Sequence, residues 1–133
     1  MSSLEENKAE LVRLMVKEMA VRANSKYGKF IIQSNEVQRT LTLLVAYRSY
    51  NPTKKIKEKL ERLELGSLIE CFRVSLKNQP ELVLYGSLKK YQDARNALAH
   101  KMYTKDRLTV QECEKAISLG DAIIRHIQEI VGD

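Results

Sequence analysis

The stretch Asp93-Ala94-Arg95-Asn96-Ala97-Leu98-Ala99-His100-Lys101-Met102-Tyr103 lies in a segment with helical periodicity, and it decides how the rest of the chain is interpreted. At 100° per residue, one stripe about 80° wide holds four polar side chains, Asp93, Asn96, His100 and Tyr103. Arg95 points about 140° away from His100, toward an apolar stripe formed by Leu88, Tyr91, Leu98 and Met102. An arginine on an apolar stripe is costly unless its charge is paired or faces a wet cleft. This conflict between pattern and residue type predicts a functional site.

The composition suits one folded domain over residues 1–133. The chain has 133 residues, of which 44% are apolar, and this is enough to bury a single core. Only 2 prolines and 5 glycines interrupt it, which favours long helices. The net charge of +6 and the pI near 9.3 are compatible with binding to nucleic acid, with binding to another anionic surface, or simply with good solubility.

The sequence contains no pattern typical of a metal or cofactor site. Cys71 and Cys113 are far apart, so we interpret them as reduced, buried thiols of a cytoplasmic protein. His100 and His126 are the only histidines, they have no metal-binding spacing, and we expect His126 to be a surface residue. A glycine-rich phosphate loop is also absent. No apolar run approaches the roughly 18 residues that span a bilayer, and the N-terminus does not resemble a signal peptide, so we expect no membrane partner.

Hydrophobic periodicity and breaker residues predict an all-α chain. Ser3 followed by Glu6 is a capping box for the first helix, and Thr109 followed by Glu112 is one for the last helix. The predicted helices cover residues 3–24, about 34–50, 53–65 and about 87–103, and a final helix starts at Thr109. Breaks are expected at residues 24–29 with Gly28 as the turn residue, at Asn51-Pro52, at Gly66-Ser67 and at Gly86-Ser87.

The predicted connections are short enough to join antiparallel neighbours. Asn78-Gln79-Pro80 forms a turn, and Lys105-Asp106-Arg107 lies in the last connection. The expected fold is therefore an up-and-down antiparallel helical bundle of four long helices plus short helical pieces. Gly120 in the middle of the last helix costs roughly 1 kcal/mol relative to alanine, and a close contact with another helix would explain its presence.

The order Arg95-Asn96, three residues and then His100 resembles the signature of the HEPN superfamily. These are small all-helical domains defined by an arginine, four to six residues and a histidine, and many are metal-independent endoribonucleases. The upstream element Leu65-Gly66-Ser67-Leu68-Ile69 is similar to one that several of these families carry before the Arg-Asn motif. The resemblance spans about residues 30–131. Tyr103 lies one residue later than the tyrosine of the His-x-Tyr variant, which occurs in toxins paired with a minimal nucleotidyltransferase.

The resemblance implies RNA cleavage without a metal, in a cleft between the two protomers of a homodimer, with 2′,3′-cyclic phosphate and 5′-hydroxyl ends as products. The 2′-hydroxyl of RNA is the nucleophile, so the protein must move protons near neutral pH, which suits His100. It must also hold a fixed cation on the scissile phosphate, which suits Arg95. Asn96 can position the phosphate or the imidazole, and Tyr103 can donate a hydrogen bond to phosphate or stack on a base. Asp93 is expected to support the imidazole, and a separately encoded, nucleotidyltransferase-like antitoxin is a further expected partner.

Residues 53–65 have two interpretations. They contain Lys54, Lys55 and Lys57 together with three glutamates, and a narrow apolar seam runs along the predicted helix. Such a segment is either a solvated helix with internal ion pairs or a surface that contacts RNA phosphates.

The motif also has a simpler interpretation. Asn96 and His100 can be surface residues one turn apart, with Arg95 paired to a glutamate from another helix. The rival function is a noncatalytic helical dimer that binds a protein or nucleic-acid partner. Replacement of His100 by alanine separates the two functions, because a nuclease would lose turnover while a binding protein would keep its affinity.

Overall fold

The computed structural model describes residues 3–48, 53–104 and 108–132, and all regular structure within them is helical. The helices are α1 (Ser3–Tyr47), α2 (Lys54–Glu61), α3 (Leu65–Val74), α4 (Gln79–Thr104) and α5 (Val110–Gly132). This confirms the predicted all-α helical bundle. The predicted connections at Asn51-Pro52 and Lys105-Asp106-Arg107 lie outside the described residues. None of the helices in the described ranges is both long enough and apolar enough to cross a bilayer.

The helix α4 runs antiparallel to α1. Arg48, after the end of α1, contacts Glu81 in the first turn of α4, whereas Gln33, earlier in α1, contacts Tyr91, later in α4. The helices α4 and α5 also run antiparallel, because they meet at their connected ends, where Lys101 of α4 binds Glu112 of α5.

The helices α1 and α5, by contrast, run in the same direction. Cys113 near the start of α5 lies against the carbonyl of Ala23, with 3.9 Å between Sγ and the oxygen. Asp121, two turns further along α5, accepts a hydrogen bond from Gln33 of α1. Both long helices therefore flank α4 as parallel neighbours.

The core lies where α1, α3, α4 and α5 meet. Its fully buried large side chains are Phe30, Val37, Leu41 and Leu44 of α1, Leu68, Ile69 and Phe72 of α3, Leu84, Leu88 and Tyr91 of α4, and Ile123 and Ile127 of α5. Burial of each such side chain contributes roughly 1.5–3 kcal/mol. On α1 the buried face begins at Ala23, and residues 3–22 are exposed throughout.

The two helices predicted over residues 3–24 and 34–50 are one continuous helix, so the predicted break at residues 24–29 is wrong. Gly28 is helical, and a Cβ added there would meet no atom within 4 Å. A glycine inside a helix costs only about 1 kcal/mol relative to alanine. Ala23 and Phe30, on either side of it, are both buried, and this packing holds the helix together across the glycine.

Two other predicted breaks are also misplaced. The helix α2 ends at Glu61 and α3 begins at Leu65, so the interruption precedes Gly66-Ser67. The helix α4 already begins at Gln79, with the Asn78 side chain accepting a hydrogen bond from the N–H of Glu81 at 3.0 Å, and it continues through Gly86-Ser87. The described bundle therefore has three long and two short helices instead of four long ones.

The start of α5 agrees with its predicted capping box. The hydroxyl of Thr109 accepts a hydrogen bond from the N–H of Glu112 at 3.2 Å, and the Glu112 carboxylate accepts one from the N–H of Thr109 at 3.4 Å. Both cysteines are free thiols, with Cys113 buried as predicted and Cys71 only partly buried. Burial raises the pKa of the Cys113 thiol.

Candidate functional site

The helix α4 carries the Arg95-to-Tyr103 motif with one face in the core and the opposite face exposed. The four side chains of the predicted polar stripe, Asp93, Asn96, His100 and Tyr103, are all exposed, and we call them the outer row. Tyr103, near the end of the helix, keeps 89% of its surface accessible. Asp93 lies about 10 Å along the helix axis from His100, so within one chain it does not reach the imidazole.

Small side chains flank the outer row on both sides. Ala97 and Ala99 are exposed, and neither extends far from the helix surface. A neighbouring helix can therefore approach α4 more closely on the Ala97 side of the outer row than on the side that carries Tyr103. The outer row on its own is an open surface, because the described core lies on the other side of α4.

Arg95 is placed differently, on the flank of α4 that faces α1. It is partly buried, and its Nη1 lies 3.5 Å from the amide oxygen of Gln38. The amide nitrogen of Gln38 in turn donates to the carbonyl of Leu63, between α2 and α3, at 2.9 Å. Among the described residues no carboxylate lies within ion-pair distance of Arg95. The simpler interpretation, in which a glutamate neutralises this arginine, is therefore not supported within the described ranges.

A groove between α1 and α2 lies next to this arginine. Its volume is about 420 Å³, and Gln38 lines it together with Arg39 of α1 and Lys57 of α2. Glu61 also lines the groove, 3.9 Å from the Lys57 ammonium, so its positive charge is partly offset. Gln38, which lines the groove, also contacts Arg95.

The three predicted RNA-binding lysines are all exposed on α2. Lys57 lines the groove between α1 and α2. The structure therefore links Lys57 to Arg95 only through Gln38, which lines the groove and contacts Arg95. It leaves His100 and the rest of the outer row on a different face of α4, about 140° away.

A buried polar network lies beneath the motif. Gln33 of α1 donates to the carbonyl of Ile117 at 2.6 Å and to the carboxylate of Asp121 at 2.8 Å, and its amide oxygen accepts from the Tyr91 hydroxyl at 3.2 Å. Burial raises the pKa of Tyr91 to about 12. The nearby Ser34 hydroxyl is buried and forms no hydrogen bond to the described protein atoms. This network holds α4 and α5 against α1.

A second polar contact ties the end of α1 to the start of α4. The guanidinium of Arg48 binds both carboxylate oxygens of Glu81, at 2.5 and 2.8 Å, and both side chains are nearly inaccessible. Arg48 also lies over the ring of Phe72, 5.9 Å from its centroid. The hydrogen bonds from Arg48 hold the pKa of Glu81 below its usual range, against the opposing effect of burial.

The residues that support the motif were not predicted from the sequence, although some of them carry a recognisable signal. Gln33 lies three residues after Phe30 and four before Val37, so it falls on the buried stripe of α1. A polar side chain at such a position needs hydrogen-bond partners. Glu81 gave the same signal, because it lies three residues before Leu84 and seven before Leu88 on the buried stripe of α4. Gln38 is only partly buried and gave no such signal.

No protein-family model matches the chain, and neither a curated protein nor a solved structure is significantly similar to it. Within the described residues, no three His, Cys, Asp or Glu side chains lie close enough together to hold a metal ion. The function must therefore be argued from the side chains on α4 and their surroundings.

Proposed function

We propose that this chain is a metal-independent endoribonuclease of the HEPN type that acts as a homodimer. The proposal rests on the presence of two features on the same helix, α4. One is the exposed outer row with Asn96 and His100 one turn apart, and the other is Arg95, whose described partner is the neutral amide of Gln38. RNA is the proposed substrate, and the cytoplasm is the proposed location.

Arg95 has the properties that a phosphate-binding cation requires. A guanidinium is permanently charged and can donate to two phosphate oxygens at once. Its contact with Gln38 is long, at 3.5 Å, so little binding energy is lost when a phosphate replaces the amide. Arg39 and Lys57 of the adjoining groove extend the positive surface, along which the RNA backbone can continue.

A homodimer supplies what one chain lacks. Arg95 and His100 project from different faces of α4, so a single chain does not place both around one phosphate. A two-fold axis through the outer row brings two copies of α4 together, with Ala97 permitting a close approach on one side of the row. The cleft then contains two copies of Asn96 and His100, and each Arg95 borders it from the flank of α4 that faces α1.

The proposed reaction is an internal transfer at phosphorus. The imidazole of His100 takes the proton of the 2′-hydroxyl as the 2′-oxygen bonds to phosphorus and the bond to the 5′-oxygen breaks. The departing 5′-oxygen receives a proton from the imidazolium of the partner subunit's His100. Arg95 stabilises the negative charge that accumulates on the phosphate oxygens, and Asn96 positions them. The products are a 2′,3′-cyclic phosphate and a 5′-hydroxyl.

The test is cleavage of end-labelled, single-stranded RNA in EDTA. Replacement of His100 by alanine should lower the rate at least about 100-fold, because general acid–base catalysis contributes factors of that size. Arg95→Ala should cause a loss at least as large, and Arg95→Lys a smaller one. His126→Ala is the matched control, since it removes the only other histidine and should leave the rate unchanged.

Several results would overturn the proposal. RNA cut equally well by the His100→Ala protein, or cut at a site whose 2′-hydroxyl has been replaced by hydrogen, would show that another group or another protein is responsible. Intact RNA in the presence of folded wild-type protein would favour the rival function. That rival, a noncatalytic helical dimer that binds a protein or nucleic-acid partner, is supported by the open shape of the outer row. If the chain cleaves RNA, we also propose a separately encoded, nucleotidyltransferase-like antitoxin as its partner.

A further inference from the structure

The first part of α1 extends away from the bundle without a partner among the described helices. Residues 3–22, which we call the arm, are exposed at every position and span about 30 Å at 1.5 Å per residue. Eight large apolar side chains on the arm are between 50% and 68% exposed; they are Leu4, Leu11, Val12, Leu14, Met15, Val16, Met19 and Val21. An apolar surface of this extent on a soluble helix marks an interaction site.

The apolar stripe of the arm continues the buried stripe of the bundle. At 100° per residue, Val12, Met15, Val16 and Met19 fall within a sector about 100° wide that also contains the buried Ala23 and Phe30. The stripe is covered from Ala23 onward, because α5 begins and α4 ends at that level. After Ala23 the apolar face of α1 is therefore covered by α4 and α5. Before Ala23 no helix of the described chain covers the same face.

A notch lies where the arm meets the corner between α4 and α5. Its volume is about 870 Å³, with Val16, Met19 and Ala23 on the α1 side and Met102 and Leu108 on the other side. The notch opens toward the arm. A helix lying along the apolar stripe would therefore end against apolar side chains of the bundle.

The charges of the arm differ between its two halves. Residues 3–12 carry Glu5, Glu6 and Glu10 but only one lysine, Lys8, whereas residues 13–22 carry Arg13, Lys17 and Arg22 but only one carboxylate, Glu18. Two arms side by side in the same direction would oppose acidic to acidic and basic to basic halves. Two arms in opposite directions would oppose each acidic half to a basic half.

We propose that a second copy of this chain covers the arm. The two arms pair antiparallel along their apolar stripes, and the tip of each arm packs into the notch at the base of the other. The pairing is isologous, so one two-fold axis through the middle of the arms generates it. A parallel pair joined through the same stripe is excluded, because the stripe faces the same side as the bundle and the two bundles would collide. This inference does not depend on RNA cleavage.

The first experiment measures self-association of the full chain by analytical ultracentrifugation in an Ala97→Arg background, in which the proposed contact through the outer row is blocked and the arm contact remains. The double replacement Val12→Glu, Met19→Glu places four charges in the proposed dimer seam and should weaken the dimer at least about 100-fold. The matched control is Ile32→Glu, Val74→Glu, which changes two even more exposed apolar residues of the bundle that lie outside the arm, and it should leave the dimer unchanged. Circular dichroism checks that both proteins keep their helix content.

The second experiment tests the direction of pairing through charge. Glu6→Lys with Glu10→Lys, or Lys17→Glu with Arg22→Glu, should each weaken the dimer about tenfold at low salt. All four replacements in one chain should restore it, because the acidic and basic halves have then merely exchanged places. A general effect of these charges on helix stability would instead add up in the fourfold variant.

The third experiment tests the direction of pairing through cross-linking. In a chain whose Cys71 is replaced by serine, Leu4→Cys and Met19→Cys proteins should form a disulfide when mixed. Each protein alone should form far less, because like residues lie about 20 Å apart in an antiparallel pair.

Three results would overturn the inference. They are an Ala97→Arg protein that stays monomeric at 100 times the concentration used for assay, an Ala97→Arg dimer that survives Val12→Glu, Met19→Glu, and a monomer whose arm inserts into lipid vesicles instead. The replacement Ala97→Arg on the outer row of α4 reports on the proposed catalytic interface separately. A failure of the arm inference therefore leaves the test of RNA cleavage intact.

Discussion

Gly120 lies where α5 passes closest to the polar side chains of α1 and α4. A Cβ at this position would collide with the amide oxygen of Gln33 and would lie 2.8 Å from Cε2 of Tyr91. Gln33 and Tyr91 are both buried and are held by hydrogen bonds to each other. Neither can move aside without breaking that network, so the predicted close contact at Gly120 is confirmed.

We expect Gly120→Ala to destabilise the protein by about 2 kcal/mol, although alanine favours a helix by about 1 kcal/mol. The added methyl group must displace Gln33 or Tyr91, and this overpacking outweighs the gain in propensity. Urea denaturation of the two proteins provides the measurement. Gly86→Ala is the matched control, since it is also helical and a Cβ there would meet nothing within 4 Å. It should stabilise by up to about 1 kcal/mol, and equal effects of the two replacements would contradict this account.

At the scale of single elements, α5 has the most sharply defined start. Thr109 and Glu112 exchange hydrogen bonds across its first turn, and the second carboxylate oxygen of Glu112 binds the Lys101 ammonium of α4. The hydrogen bond from Lys101 holds the pKa of Glu112 below its usual range. These contacts fix the corner between α4 and α5, against which the notch at the base of the arm is formed.

The replacement Thr109→Ala should cost about 1 kcal/mol of stability, because it leaves the N–H of Glu112 without its side-chain acceptor. Ser118→Ala in the exposed middle of the same helix removes a comparable hydroxyl and should change stability by less than about 0.5 kcal/mol. Thermal unfolding followed by circular dichroism compares the two. A loss that is the same for both residues would show that the capping box does not stabilise α5.

At the scale of the whole molecule, the pair of Arg48 and Glu81 joins helices whose sequences are far apart. The two residues are separated by 33 positions, and their side chains are 8% and 4% exposed. Removal of one member of a buried ion pair leaves the other charge unpaired, which is strongly destabilising. The pair therefore ties the end of α1 to the start of α4 and closes one end of the bundle.

We expect Glu81→Gln to destabilise the protein by about 3 kcal/mol at pH 7. The pKa of Glu81 is lowered in the folded state, so its contribution is fully present above the unfolded pKa of about 4.3 and is lost as the pH falls through the folded value. The difference in stability between wild type and Glu81→Gln should therefore be constant from pH 7 to about pH 5 and shrink at lower pH. Urea titrations of both proteins between pH 3 and 7 measure it, and a difference that grows on acidification would contradict the sign.

Some features of the candidate site followed from the sequence alone. The outer row was predicted because helical spacing places Asp93, Asn96, His100 and Tyr103 together, and all four are exposed. The sequence also shows that Arg95 lies on an apolar stripe, but it does not show which residue contacts Arg95. Gln38 lies 57 positions away, and nothing in the spacing around either residue indicates which helices meet there. Whether these residues cleave RNA stays a prediction.

The sequence by itself determined those features that depend on interactions between residues three or four positions apart. These are the helical class, the first turn of α5 at Thr109, and the division of α4 into an apolar and a polar face. Three features depend on the tertiary structure. They are the continuation of α1 through Gly28 and of α4 through Gly86, the parallel direction of α1 and α5, and the projection of the arm beyond the bundle. The physical reason is one of magnitude. A glycine such as Gly28 or Gly86 costs about 1 kcal/mol locally, whereas the buried side chains on either side of it contribute roughly 1.5–3 kcal/mol each, and that packing exists only once distant helices have met.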